Sequence, residues 1–112
     1  MAESMYRQGD VLLIEISDKY QIKSFIRNKK KMKTRTNNVL AYGEITGHAH
    51  KVAGEATVFE EATDRLLVEV TGTAEVTHEE HDTIPLPKGL YRVVHQTEHA
   101  PERESRTRRV VD

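Results

Sequence analysis

Asp10-Val11-Leu12-Leu13-Ile14-Glu15-Ile16 decides the fold class. It is a short, branched apolar run of the kind that forms a core strand. Side chains alternate along a strand, so Leu12, Ile14 and Ile16 share one face. Working outward, similar runs recur. Val39–Ile45 and His48–Val52 read as strands. Ala56–Glu61 and Arg65–Val70 read as a hairpin about Ala62-Thr63-Asp64, and Thr73–Thr77 and Leu90–His95 as further strands. Asn37-Asn38, Gly54 and Lys88-Gly89 read as turns, and Gly72 as an interruption. Ile84-Pro85-Leu86-Pro87 is excluded from a central strand, because neither proline can donate to the ladder. Only Tyr20–Met32 departs from the pattern. Ile22, Phe25 and Ile26 have helical spacing, but cations crowd the positions after Asn28, so a short helix or a mobile loop fits. The expected fold is all-β: a small single-domain barrel or sandwich with at most one short helix. Residues 1–100 form the domain, with a basic loop at 19–38, and residues 101–112 a polar, Arg-rich tail.

A chain of 112 residues has room for one small core. No apolar run approaches the roughly 20 residues of a membrane span. The first residues, Met1-Ala2-Glu3-Ser4, lack the basic and apolar regions of a secretory signal, which makes a cytoplasmic protein the expectation. There is no cysteine, which excludes disulfides, thiolate metal sites and a cysteine nucleophile. The net charge of −1 conceals strong segregation. Lys19–Arg35 holds eight cations and no acid: Lys19, Lys23, Arg27, Lys29, Lys30, Lys31, Lys33 and Arg35. Glu44–Asp82 holds ten acids against Lys51 and Arg65, and Arg103, Arg106, Arg108 and Arg109 make the end basic again. Such blocks mark solvated faces or contact surfaces.

The six histidines, at 48, 50, 78, 81, 95 and 99, all lie beyond residue 47. Within Gly47-His48-Ala49-His50, the two imidazoles at i and i+2 point the same way on a strand and can converge on one ion. Imidazole suits zinc, iron, nickel or manganese. A site needs three or four ligands, and Glu55, His78, His81 and His95 are the candidates to complete it. Thr77-His78-Glu79-Glu80-His81 is dense in ligand side chains. Bringing His78 and His81 to one side there requires a turn or bulge.

Gly43-Glu44-Ile45-Thr46-Gly47-His48-Ala49-His50, followed by Lys51-Val52-Ala53-Gly54-Glu55, resembles the first motif of the cupins. Pro87-Lys88-Gly89 is similar to the turn of their second motif. The spacing of the first glycine is one residue short, Ala62 stands where the motif closes on Gly, and Arg92 stands at the expected second-motif His. The resemblance covers about residues 43–99 and implies a small metal-binding β-barrel. It implies His48, His50 and Glu55 as ligands, with His95, or its rival His78, as the third His. Cupins include enzymes and plain binding proteins, so the resemblance does not fix a reaction.

No phosphate-binding glycine loop and no His-Glu-x-x-His is present. Serine is sparse and lies outside the His-bearing stretch 48–99, against a Ser-His-Asp triad. The leading expectation is a metal-binding barrel, and an enzyme acting on a small organic acid or sugar if Arg92 turns inward to pair a carboxylate. Two other readings stay open. One is a nucleic-acid-binding module gripping phosphates with Lys23, Arg27, Lys29, Lys30, Lys31, Lys33 and Arg35. The other is a non-catalytic assembly protein, such as a phage or accessory factor, that forms a homo-oligomer.

Overall fold

The computed structural model describes residues 4–42, 48–62 and 65–95. Its spine is a long antiparallel hairpin of β5 (Ala49–Ala62) and β6 (Arg65–Thr77). Sequence reading divides each of these strands in two, at Gly54 and at Gly72. Both instead run through their glycine, because the interruption is a bulge and not a turn. The register shifts between Gly54 and Ala56. Gly54 adopts φ +101°, and a Cβ there would run into the Thr73 carbonyl. On the facing strand, Gly72 leaves the space that the Glu55 carboxylate fills. Bulges of this kind bend and twist a hairpin.

The bend gives the spine two halves with different neighbours. At one end β6 pairs with β8 (Gly89–His95), which pairs with β2 (Val11–Glu15) and through it β1 (Met5–Gln8). There β3 (Lys33–Arg35) covers the outer side of β5. At the other end, β4 (Val39–Tyr42) flanks β5 and the short β7 (Ile84–Leu86) flanks β6. All pairings are antiparallel and join one eight-stranded sheet. The fold is therefore all-β and single-domain. The sheet is open, where a closed barrel or a two-sheet sandwich was expected. Pro85 keeps β7 short and on an edge. Across the gap Gln8 of β1 is tied to β6 by a side chain, its amide donating to Val76 O at 3.0 Å. The sheet curls, but among the described residues no ladder closes it.

Its concave face carries the main core: Val11, Leu13, Val58, Val68, Val76 and Tyr91 are each at most 1% exposed. The other face is covered by α1 (Lys19–Asn28), the short helix. Asp18 caps it, its carboxylate accepting from Tyr20 N and Gln21 N. Phe25 then packs edge-on against Phe59, with ring centroids 5.1 Å apart, among Ile16, Leu67 and Leu90. The helix runs into a 3-10 turn at Lys29–Lys31. Asn38 carries the expected turn with φ +54°.

Candidate metal centre

Strand alternation decides which predicted residues meet. On β8, Tyr91 and Val93 face the concave core while Leu90 faces α1. His95 continues the concave series. Arg92 belongs to the other series and is exposed, so it is not brought to the histidines. On β5, His50 lies two residues before the core residue Val52 and shares its face. His50 is 3% exposed, the only buried His among the described residues.

His78 and His81 follow β6 directly. The chain bends at residues 79–81, which supplies the turn that the sequence required to place both rings on one side. Their centroids are 4.6 Å apart. His78 also lies 4.4 Å from His50 and 5.7 Å from His48, and His81 stacks on His50 at 5.8 Å. His95 reaches the group through Asp10, whose Oδ2 is 3.1 Å from His95 Nε2. Five histidines from three segments thus gather at one end of the concave face.

Glu55 is not among them. Its carboxylate is held at the bulge, where it accepts from Thr73 N at 2.9 Å. Gly43 and Gly47 of the quoted motif, His99 and the Arg-rich tail lie outside the described residues.

The ligand atoms sort into two groups. One atom each from His48, His78 and Glu79 lies within 4.8 Å of the other two. Glu79 Oε1 accepts from Ala49 N at 2.9 Å, which holds this carboxyl below the usual range and fixes it beside β5. His48 Nδ1 faces Glu80 Oε2 at 3.5 Å. The second group forms around Asp10, whose Oδ1 stands 3.6 Å from His50 Nε2. His48 and His50 both bring their rings to His78, yet they serve different groups.

Gln8, Gly9 and Asp10 set the second group, and sequence reading missed all three as site residues. Gln8 Nε2 donates to Val76 O and Asp82 O, so its Oε1 must face His50 Nδ1, 2.8 Å away. A carbonyl oxygen only accepts. His50 Nδ1 therefore carries the proton and Nε2 carries the lone pair. Metal-bound histidines are held in this way, with the second ring nitrogen donating to a fixed acceptor. Burial, then the neighbouring His78, lowers the His50 pKa to about 4, with His81 and His95 adding and Asp10 opposing. Gly9 has φ +62°, and a Cβ there would lie 2.9 Å from His81 Nε2. Its missing side chain lets the β1–β2 turn close on the rings.

A family model described as Domain of unknown function (DUF8820) matches residues 7–96. The chain belongs to this family. The DUF8820 match contains every residue of both groups, from Gln8 to His95. No curated protein and no solved structure matches. These comparisons give the cupin resemblance no support. Among the described residues, no helix is long and apolar enough to cross a membrane.

Proposed function

We propose that this chain is a small metal-binding β-domain, with a divalent transition ion held by His48, His78 and Glu79 and supported by His50. The supporting observation is the gathering of five histidines from three segments on one end of a curled sheet. Two nitrogens and one carboxylate oxygen suit zinc, iron, nickel or manganese and leave coordination positions open. The three atoms sit within 4.8 Å of one another. Ligands on one ion lie about 3.0–3.4 Å apart, so the group must draw in by about 1–2 Å. His78 Nδ1 accepts from Glu80 N at 3.0 Å. Binding through either nitrogen breaks that bond, because a metal-bound neutral imidazole carries its proton on the other one. The 79–81 bend would therefore rearrange on loading, at a cost of about 1 kcal/mol.

Thermal melting tests the reading. At 100 times Kd, a ligand that binds only the folded state adds about 2.7 kcal/mol, or some 10–20 °C for a domain of this size. The parent should show such a rise with at least one of zinc, nickel, iron(II) or manganese. A His48→Ala/His78→Ala variant should show a clearly smaller one. A melt unmoved by all four ions overturns the reading.

A second reading has its own observation. Lys19, Lys23, Arg27 and Lys30 recur every three or four residues along α1 and the turn after it, so they share one exposed face. None has an ion-pair partner among the described residues, whereas Lys29 is paired with Glu69 and Arg35 with Glu60. That face suits a nucleic-acid backbone, and its affinity should fall steeply with salt.

A further inference from the structure

The proposed centre leaves the ligand atoms of His50, Asp10 and His95 unused, and Asp10 stands against both rings. Asp10 Oδ1 is 3.6 Å from His50 Nε2, and Asp10 Oδ2 is 3.1 Å from His95 Nε2. Each separation, taken to its own oxygen of Asp10, resembles that of two ligands on one ion, about 3.0 Å at right angles and about 3.4 Å at the tetrahedral angle. The composition repeats that of the first group: two imidazoles and one carboxylate. We infer that the domain holds a second divalent cation, bound by His50, Asp10 and His95, beside the ion at His48, His78 and Glu79. The inference rests on the metal-binding reading and extends it from one ion to two.

Hydrogen bonding carries the argument. Gln8 spends both amide hydrogens on Val76 O and Asp82 O and turns its oxygen to His50 Nδ1. The imidazole proton is thereby fixed at Nδ1. At Nε2 a nitrogen lone pair then faces a carboxylate oxygen, acceptor against acceptor. The 3.6 Å gap is beyond hydrogen-bond reach. Two acceptors aimed at each other are stabilised by a cation between them, and the gap has the width for one.

The backbone supports the same placement. Asp10 sits in the β1–β2 turn, which approaches only because Gly9 lacks a side chain where His81 Nε2 and His50 Cε1 would meet it, at 2.9 and 3.3 Å. His95 is presented by the last position of β8, paired in register with Val11. Two strand ends and one turn thus approach one another through the two oxygens of Asp10. One ligand atom from each does not yet lie within 4.8 Å of the other two, as it does in the first group, so these side chains must draw in further on loading. Asp10 and His95 are 44% and 46% exposed at the side chain, so an ion there keeps open positions for water or an oxyanion. The His50 and His78 rings, 4.4 Å apart, join the two groups wall to wall.

Zinc titration against a chromophoric chelator counts the ions. The chelator-stripped parent chain should take up two per chain. Asp10→Asn and His95→Ala should each take up one, and His48→Ala/His78→Ala should retain one. Circular dichroism establishes that each variant is folded. The count on the parent does not depend on any variant folding. One ion per chain in the parent, unchanged in Asp10→Asn and His95→Ala, overturns the second site and leaves the first standing. Two ions unaffected by both substitutions also overturn it, since the second ion then lies elsewhere. No uptake at all overturns both readings together.

Discussion

Replacing Gln8 by methionine strips a buried hydrogen-bonding hub while nearly conserving its volume. Gln8 is 2% exposed and its amide makes three bonds: to Val76 O at 3.0 Å, to Asp82 O at 2.9 Å, and with His50 Nδ1 at 2.8 Å. An intramolecular hydrogen bond is worth about 1 kcal/mol net, and a buried group left without a partner costs about 1–3 kcal/mol. Asp82 is exposed, and water can replace the lost bond there. His50 Nδ1 has no such substitute at 3% exposure. The sum for Gln8→Met is a loss of roughly 2–4 kcal/mol. Gln8 also bridges β1 to both β6 and the loop before β7, so its loss loosens the curl of the sheet. Urea unfolding of the chelator-stripped protein measures the stability change. Competition with a chromophoric chelator measures zinc affinity on the same samples. Affinity should fall about 10–100-fold, the usual cost of losing the partner that orients a histidine ligand. A stability change below about 0.5 kcal/mol, with unchanged affinity, would refute the assignment of the His50 proton and the role of Gln8.

Other consequences are open to measurement. Gly9→Ala puts a methyl 2.9 Å from His81 Nε2 at a positive φ, and should cost about 1–2 kcal/mol in urea and weaken metal uptake; a neutral result would mean the turn does not press on the rings. In the metal-free protein, His50 titrates near 4 when folded against an ordinary 6.5. Between those values the unfolded chain binds more protons, so stability rises with pH and is lost as pH falls from about 6.5 to 4, by at most about 3 kcal/mol. His50→Gln should flatten that window, and an unchanged slope would place its origin elsewhere. Tyr91→Phe removes a bond from its hydroxyl to Pro87 O at 2.6 Å and should cost about 1 kcal/mol; no loss would show that water serves Pro87 equally well. Lys23→Glu/Arg27→Glu should abolish salt-sensitive binding of a fluorescent single-stranded RNA if the exposed face of α1 grips phosphates, and anisotropy that is equal in parent and variant would discard that reading.

Alternating apolar runs were enough to read the β class, since burial on a pleated surface leaves a period of two in the chain, whereas Tyr20–Met32 left a short helix and a mobile loop both open, and the structure has the helix. The rings of His48 and His50 both lie against His78, although His48 precedes β5. What escaped sequence reading depended on the bulge. Gly54 and Gly72 look like breaks in a single strand, but they lie on the two strands of one hairpin at the same bulge, Gly54 opposite Ala74 and Gly72 against Glu55, and only that pairing shows that Glu55 fills the bulge and does not reach the histidines. Arg92 went the other way for a simpler reason: one step of alternation separates it from Val93. Gln8-Gly9-Asp10 carries no ligand spacing relative to His50, about forty positions away. Its role exists only once β1 curls over β6, a tertiary event that leaves no local periodicity.

Metal content by mass spectrometry, on untagged protein purified without chelators, tests the central claim most directly. A His48→Ala/His50→Ala variant, which removes one imidazole from each group, runs beside it. A transition metal at or above one ion per chain in the parent, and lost in the variant, is the expected result. No transition metal in either protein, with none taken up on dialysis against zinc, nickel, iron(II) or manganese, would contradict the account.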